Sequence, residues 1–149
     1  MPDYADMLLD KMKSHEPIRL GGYFPFEMCN LEYEEEKKSA IELHRDDMWI
    51  WGNRLISINL LAGSIMTLVH DATRRVCVVP MPRRSLLCMA DTVRYEWRHG
   101  VLPNHIRGRR VALTMREAAP AFLPGGELFQ KYGQELMRIG NQRVLLSIQ

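Results

Sequence analysis

Short segments of strand length follow one another through most of this sequence of 149 residues. Eight of them are rich in the apolar, β-branched and aromatic residues that favour strands, and turn-forming residues stand between several of them. Their ranges are 27–33, 40–46, 54–60, 64–70, 75–80, 84–90, 92–98 and 109–116. Strands at this spacing, with no helices between them, are typical of an antiparallel sandwich or barrel. The sequence therefore predicts a mainly β fold.

Helical patterns are confined to the two ends of the chain. Apolar residues recur at helical spacing in YADMLLDKMK, residues 4–13, which predicts a short amphipathic helix. The segment ELFQKYGQELMRI, residues 127–139, follows Pro124-Gly125-Gly126 and could form a second helix that Gly133 interrupts. Both helices would flank the β region rather than divide it.

Composition excludes several classes of protein. A chain of this length with 46% hydrophobic residues can bury one core, which predicts a single domain. The net charge of +2 gives no argument for a nucleic acid or an acidic partner, and no apolar run is long enough for a membrane span. Three cysteines at unrelated spacings fit a reduced intracellular protein and form neither a zinc module nor a disulfide framework.

His44 and Asp46 stand one residue apart at the end of the second segment. Residues i and i+2 of a strand point to the same face, so this imidazole and carboxylate could bind one metal ion together. A hydrogen-bonded pair at a strand end is the alternative, since an H-x-D match alone is weak evidence. The pair is therefore a candidate half of a metal site.

A second histidine would complete the 2-His-1-carboxylate triad of non-haem Fe(II) oxygenases. The chain offers His70, His99 and His105. His99 is the best candidate because it follows the seventh segment, and ligands can converge where strands end at the mouth of a barrel. His70 and His105 are expected at the surface.

Two arginines share one face of the last strand segment. Arg110, Ala112, Thr114 and Arg116 alternate with apolar residues and point to the same side. An oxygenase that uses 2-oxoglutarate needs a buried positive partner for the distal carboxylate, and arginine suits this because its planar fork binds carboxylates bidentately. The alternative is that one or both arginines face solvent.

These residues, in this order, resemble the AlkB family of Fe(II)/2-oxoglutarate dioxygenases. The matching motifs are HRDD with His44 and Asp46, RYEWRHGV with His99, and RRVALTMRE, which follows the family pattern R-x-N-x-T-x-R with Ala112 in place of asparagine. Upstream, CNLEY resembles the family's N-x-Y element and matches it best at Tyr33. The resemblance extends over residues 24–139, most of the chain.

The resemblance implies a fold and a set of ligands. The expected fold is a double-stranded β-helix (jelly roll) formed by residues 1–149 as one dioxygenase core domain, with the N-terminal substrate-lid region of the family short or missing. His44, Asp46 and His99 would bind Fe(II) as the catalytic metal ligands. The residues implied for the cosubstrate 2-oxoglutarate are Arg110 for its distal carboxylate, Arg116 beside the iron-bound carboxylate or Asp46, and Tyr33 and Thr114 as supporting hydrogen-bond donors.

The activity implied by the resemblance is oxidative N-demethylation, which releases formaldehyde, succinate and carbon dioxide. The expected substrate is a methylated lysine of a protein such as actin, because phrases such as PRRSLLCM and PGGELFQKYGQELMRI are similar to one animal branch of the family. N6-methyladenine in DNA is the alternative substrate, and a catalytically silent jelly-roll binding module is a second alternative. The protein is expected to be a monomer located in the cytoplasm and the nucleus.

Overall fold

Eight antiparallel strands dominate the computed structural model, which describes residues 4–141. The strands are β1 (Glu27–Glu34), β2 (Ile41–His44), β3 (Trp51–Leu61), β4 (Ser64–His70), β5 (Val76–Met81), β6 (Ser85–Met89), β7 (Trp97–Val101) and β8 (Arg109–Ala118). The helices are α1 (Ala5–His15), α2 (Pro17–Leu20), α3 (Asp91–Glu96) and α4 (Gln134–Asn141), with a π-helical turn over Phe129–Gly133 and 3₁₀ turns over Pro103–His105 and Pro120–Phe122. None of the helices within this range is long and apolar enough to cross a membrane.

The strands form two four-stranded sheets that face each other. One sheet has the order β1-β8-β3-β6 and the other β2-β7-β4-β5. Consecutive strands thus alternate between the sheets for most of the chain, and the prediction of a mainly β jelly roll is confirmed. In the second sheet β2 is an edge strand, which pairs only with β7, whereas β7 pairs with a strand on each side.

The alternation of side chains along the strands separates two cores. On β3, Leu55 belongs to the inner core between the two sheets, and its neighbour Ile56 belongs to the helix-side core under α1. On β8, Ala112 and Leu113 divide in the same way. Because the period of a strand is two, every second residue of β8 points into the space between the sheets. This space holds the candidate site.

Most of the predicted strand segments match observed strands, but the prediction of a strand over residues 92–98 is wrong. Its residues 92–96 lie in α3, and β7 begins only at Trp97. The β-branched and aromatic residues of this segment favour a strand, but tertiary contacts override that local preference. The buried side chain of Arg94 makes these contacts, through hydrogen bonds to backbone carbonyls of a neighbouring loop.

The helices at the two ends of the chain agree with the sequence patterns. The N-terminal pattern over residues 4–13 corresponds to α1, whose buried residues Leu9 and Met12 face the first sheet. The C-terminal pattern corresponds to the π-helical turn followed by α4, and the change between them falls at Gly133. A β-carbon at Gly133 would lie 2.5 Å from a ring carbon of Phe129.

Gly100 allows β2 to approach β7 closely. A β-carbon built on Gly100 would lie 2.7 Å from the carbonyl oxygen of Ile41 and 3.0 Å from the carbonyl carbon of Glu42. We expect Gly100→Ala to push β2 outward and to lower the free energy of unfolding by about 1–3 kcal/mol, as overpacking typically does. Urea unfolding measures this change. Gly22→Ala is the control, because a β-carbon there meets nothing within 4 Å; equal losses in the two variants would contradict the prediction.

Candidate functional site

Two histidines face each other across neighbouring strands. His44, at the end of β2, is directly opposite His99 in the middle of β7, and their ring centroids are 4.4 Å apart. The Nδ1 atom of His44 lies 2.7 Å from the carbonyl oxygen of Glu42. Since a carbonyl only accepts, Nδ1 carries a proton, and Nε2 faces the site, where it can hold either a second proton or a metal ion.

Asp46 completes the group from outside the sheet. The strand predicted over 40–46 ends at His44, so Asp46 lies in the loop that follows and not on the same strand face. Its Oδ1 atom is nevertheless 3.4 Å from Nε2 of His44. One ligand atom from each of His44, Asp46 and His99 lies within 4.8 Å of the others. The structure thus brings the three predicted ligands together, although the loop rather than strand alternation places the carboxylate.

The protonation states of this cluster suit a metal ion. Burial, together with the neighbouring His44, lowers the pKa of His99 to about 4, so its ring is neutral at physiological pH. Burial alone would raise the pKa of Asp46, but hydrogen bonds from His44 and Arg116 hold it well below its usual range. A hydrogen bond to Asp46 raises the pKa of His44. A cation bound here would replace the proton that His44 and Asp46 share, as neutral imidazoles and ionised carboxylates are the forms that bind metals.

Arg116 holds the carboxylate of Asp46 in place. Its Nε and Nη2 atoms donate to the two oxygens of Asp46 at 2.9 and 3.3 Å, and Nη1 donates to Glu27 at 2.5 Å. These ion pairs raise the pKa of Arg116 despite its burial, so the guanidinium stays charged. Arg116 therefore lies beside Asp46, as predicted, and its hydrogen bonds orient the carboxylate of this candidate metal ligand.

Arg110 is a buried charge without a carboxylate partner among residues 4–141. Only 1% of its surface is exposed, its Nε atom donates to Oδ1 of Asn59 at 2.5 Å, and its guanidinium lies 4.7 Å from the ring centroid of Tyr33. Burial lowers its pKa. Leaving a charge buried without an ionic partner is costly. The geometry therefore fits a site that receives an anion from a ligand.

Asn59 is a site residue that the sequence analysis missed. It is fully buried on β3 directly opposite Ala112, the position where the family motif carries asparagine. Its amide nitrogen donates to the carbonyls of Ala62 and Met81, and its oxygen accepts from Arg110. The neighbouring strand β3 thus places an amide opposite the position where β8 lacks one. A lone asparagine within the apolar segment SINLL was the signal that could have identified it.

Tyr33 and Thr114 lie beside these residues, and each has a hydroxyl group that could donate a hydrogen bond. Tyr33 pairs with Arg110 across β1 and β8, and burial raises the pKa of its phenol, so the ring is neutral and can donate. The hydroxyl of Thr114 donates to the carbonyl of Cys29 at 3.3 Å. The phenol of Tyr33 is the better placed of the two as a donor to a ligand.

One cavity of about 40 Å³ between the sheets unites the predicted site residues. Its lining includes Tyr33, His44, Asp46, His99, Arg110, Thr114 and Arg116, together with apolar side chains of the inner core such as Leu31, Met66 and Val101. His70 lies outside it, where its Nε2 atom is hydrogen-bonded to Glu96 at 3.0 Å. The cavity therefore combines a cluster of metal-binding side chains with a buried cation inside an otherwise apolar interior.

Comparisons with known proteins identify relatives of this chain. No protein-family model matches the sequence. A DNA N6-methyl adenine demethylase from Caenorhabditis elegans is 69% identical over 147 residues, which cover 99% of this chain and 50% of that protein. The human alpha-ketoglutarate-dependent dioxygenase alkB homolog 4 is 35% identical over 169 residues, covering 93% of this chain and 55% of that protein. The chain thus spans about half the length of the curated relatives it matches.

A cupin is among the similar solved structures. The RmlC-like cupin protein from Desulfovibrio desulfuricans has a TM-score of 0.41 and 17% identity, covering 62% of this chain and 72% of that one. The sequence relatives are the informative comparison, because their similarity extends over nearly the whole chain and not over one motif. Two of them carry the same name, alkB homolog 4, in human and in mouse, at 35% and 32% identity. The chain therefore belongs to the AlkB family of 2-oxoglutarate-dependent dioxygenases.

Proposed function

We propose that this chain is the catalytic core of an Fe(II)- and 2-oxoglutarate-dependent oxidative N-demethylase. The observation that carries the proposal is the cavity that combines three metal-binding side chains with Arg110, which has no carboxylate partner among residues 4–141. Two neutral imidazoles and one carboxylate are the donor set of non-haem iron oxygenases. A dicarboxylic acid fits the remaining requirement, since one carboxylate would bind the metal and the other would pair with Arg110.

Each residue has a distinct task in this proposal. His44, Asp46 and His99 would hold Fe(II), and Arg116 keeps the Asp46 carboxylate ionised and oriented. Arg110 would bind the distal carboxylate of 2-oxoglutarate, and Asn59 holds the guanidinium in position. The bound iron, with dioxygen and 2-oxoglutarate, supplies the oxidising chemistry, while the apolar walls of the cavity exclude water.

The overall reaction fixes what an assay must detect. The N-methyl group leaves as formaldehyde, the amine is regenerated, and 2-oxoglutarate with dioxygen becomes succinate and carbon dioxide. The protein's part is to bind the reactants next to one another and to hold Asp46 and the histidines in their ligand forms.

N6-methyladenine in DNA is the proposed substrate. The C. elegans relative, at 69% identity, is named for this activity, whereas the name of the human relative, at 35%, mentions no substrate. This comparison supports the alternative that the sequence analysis placed second, and it gives the methylated lysine of an actin-like protein less support. A nuclear location would follow from a DNA substrate.

The test is a comparison of the two substrate classes in parallel reactions. The purified chain is incubated with Fe(II), 2-oxoglutarate and either a single-stranded oligonucleotide containing N6-methyladenine or a methyl-lysine peptide, and formaldehyde and demethylated product are measured by mass spectrometry. We expect product from the oligonucleotide, with binding that weakens steeply as salt rises because phosphates contribute to affinity. Product from the peptide alone would overturn the substrate assignment.

Ligand binding separates the remaining outcomes. A chain that binds Fe(II) and 2-oxoglutarate but releases no formaldehyde from either substrate would be a silent binding module. A chain that binds neither ligand, measured by anaerobic calorimetric titration, would overturn the proposed function itself.

A further inference from the structure

We propose that Arg94 is a positioning residue, which fixes the loop that carries Asp46 relative to the strand that carries His99. The proposal rests on the proposed metal site, and it concerns a residue that does not itself reach the metal ligands' donor atoms. Its basis is the contact between one buried guanidinium and the backbone of the loop between β2 and β3.

The guanidinium of Arg94 binds four carbonyl oxygens of this loop and of the start of β3. Its Nη1 atom donates to Asp46 at 3.1 Å, Nη2 donates to Asp47 at 3.0 Å and Trp51 at 3.4 Å, and Nε donates to Gly52 at 3.1 Å. The first and last of these carbonyls are six residues apart along the chain. A single guanidinium thus connects the two ends of the loop.

The guanidinium of Arg94 is buried, which strengthens its hydrogen bonds to the loop. Arg94 is 2% exposed and forms no ion pair among residues 4–141, so the carbonyl dipoles are its direct hydrogen-bond partners. Hydrogen bonds to a charged group are stronger than neutral ones, and an arginine fork presents several donors in one fixed plane. The arrangement leaves the loop backbone little freedom at Asp46.

Asp46 needs such support because it lies beyond the end of β2. The sheet fixes the two histidines through β2 and β7, but no strand pairing fixes Asp46. Arg116 holds its carboxylate, and Arg94 holds its carbonyl. Arg94 also lies in α3, which leads directly into β7, so His99 follows only five residues later. One residue therefore links the two segments that carry the ligand candidates.

The test measures metal affinity and coordination with Co(II), whose visible spectrum reports ligand geometry. Co(II) is titrated into the wild type, Arg94→Met and Arg94→Lys. We expect Arg94→Met to weaken Co(II) binding by about 10–100-fold, the range typical of residues that orient metal ligands, and to change the spectrum. Arg94→Lys keeps the charge but loses the planar fork, so we expect a folded protein that recovers less than the full affinity.

Two control variants separate positioning from general destabilisation. Ile58→Val loosens the helix-side core away from the site, and Arg138→Met removes an exposed arginine that pairs with Glu135. Both should bind Co(II) with wild-type affinity and spectrum.

Each outcome has one meaning. Wild-type Co(II) affinity in folded Arg94→Met would overturn the inference. Wild-type affinity in Arg94→Lys would overturn it too, because the charge of residue 94 would then be sufficient and the planar fork would not be needed. If Arg94→Met does not fold, Arg94→Lys decides alone by the same criterion. Failure of the wild type to bind Co(II) would instead overturn the proposed metal site and this inference with it.

Discussion

Replacing His99 with alanine is expected to weaken Fe(II) binding by more than about 100-fold and to reduce formaldehyde release to background. Residues that merely orient metal ligands already contribute about 10–100-fold to affinity, so loss of a ligand itself should exceed that range. Two donors, His44 and Asp46, would remain, and they lie on the same short stretch of chain. The measurement is anaerobic titration with Fe(II), followed by product analysis under saturating 2-oxoglutarate.

The fold should survive this substitution. His99 is a desolvated imidazole with a lowered pKa, and alanine removes a polar ring from a partly buried position without leaving a charge behind. His15→Ala serves as the matched control, because this histidine is exposed on α1 and interacts with the carbonyl of Lys11. Equal metal affinities in the two variants, with both folded, would rule out His99 as a ligand.

Arg110→Met should separate ligand affinity from stability, with effects of opposite sign. Removing one partner of a buried ion pair typically costs about 3–5 kcal/mol, so we expect the dissociation constant of 2-oxoglutarate to rise at least about 100-fold. In the absence of 2-oxoglutarate, the same variant should unfold at an equal or higher denaturant concentration, because an apolar side chain replaces a buried charge that has no carboxylate partner in the described part of the chain. Asn59 keeps a hydrogen bond from Ser64 in this variant.

The adjacent residue provides a control on the same strand. Arg109 points to the opposite side of β8, where it is exposed and pairs with Glu32. Arg109→Met should leave the affinity for 2-oxoglutarate unchanged. Calorimetric titration in the presence of Mn(II) measures affinity, and urea unfolding measures stability. Unchanged affinity in Arg110→Met would exclude the proposed carboxylate partner, and a marked loss of stability without ligand would show that Arg110 is a structural charge.

Alternation of residues along the strands made much of the site predictable. A period of two was enough to place Arg110, Thr114 and Arg116 on one face of β8, and the structure places all three around the cavity. The proximity of His99 to His44 was not contained in any local pattern, since the two residues are 55 positions apart. The residues alone offered His99 only as the best of three candidates, and the resemblance to a family supported it. Strand pairing between β2 and β7 is the physical cause of that proximity.

Two features escaped prediction because distant contacts create them. The residues before β7 have the composition of a strand, yet they form α3, in which Arg94 donates to carbonyls more than 40 residues away. In the sequence, Asn59 is a single polar residue in an apolar strand. Only the pairing of β3 with β8 shows that it lies opposite Ala112. In both cases the role of a side chain depends on contacts with residues that are distant in the sequence.

The position of β2 at a sheet edge bears on how a metal ion would enter and leave. His99 stands on an interior strand, whereas His44 and Asp46 belong to the edge strand and its following loop. Edge elements open locally at a free energy well below that of global unfolding. Fraying of this edge would free His44, whereas Arg94 and Arg116 would keep Asp46 in place. Metal exchange would therefore begin with the loss of the His44 donor, in a protein whose jelly roll stays folded. A chelator should accordingly strip the ion at a rate set by that local opening.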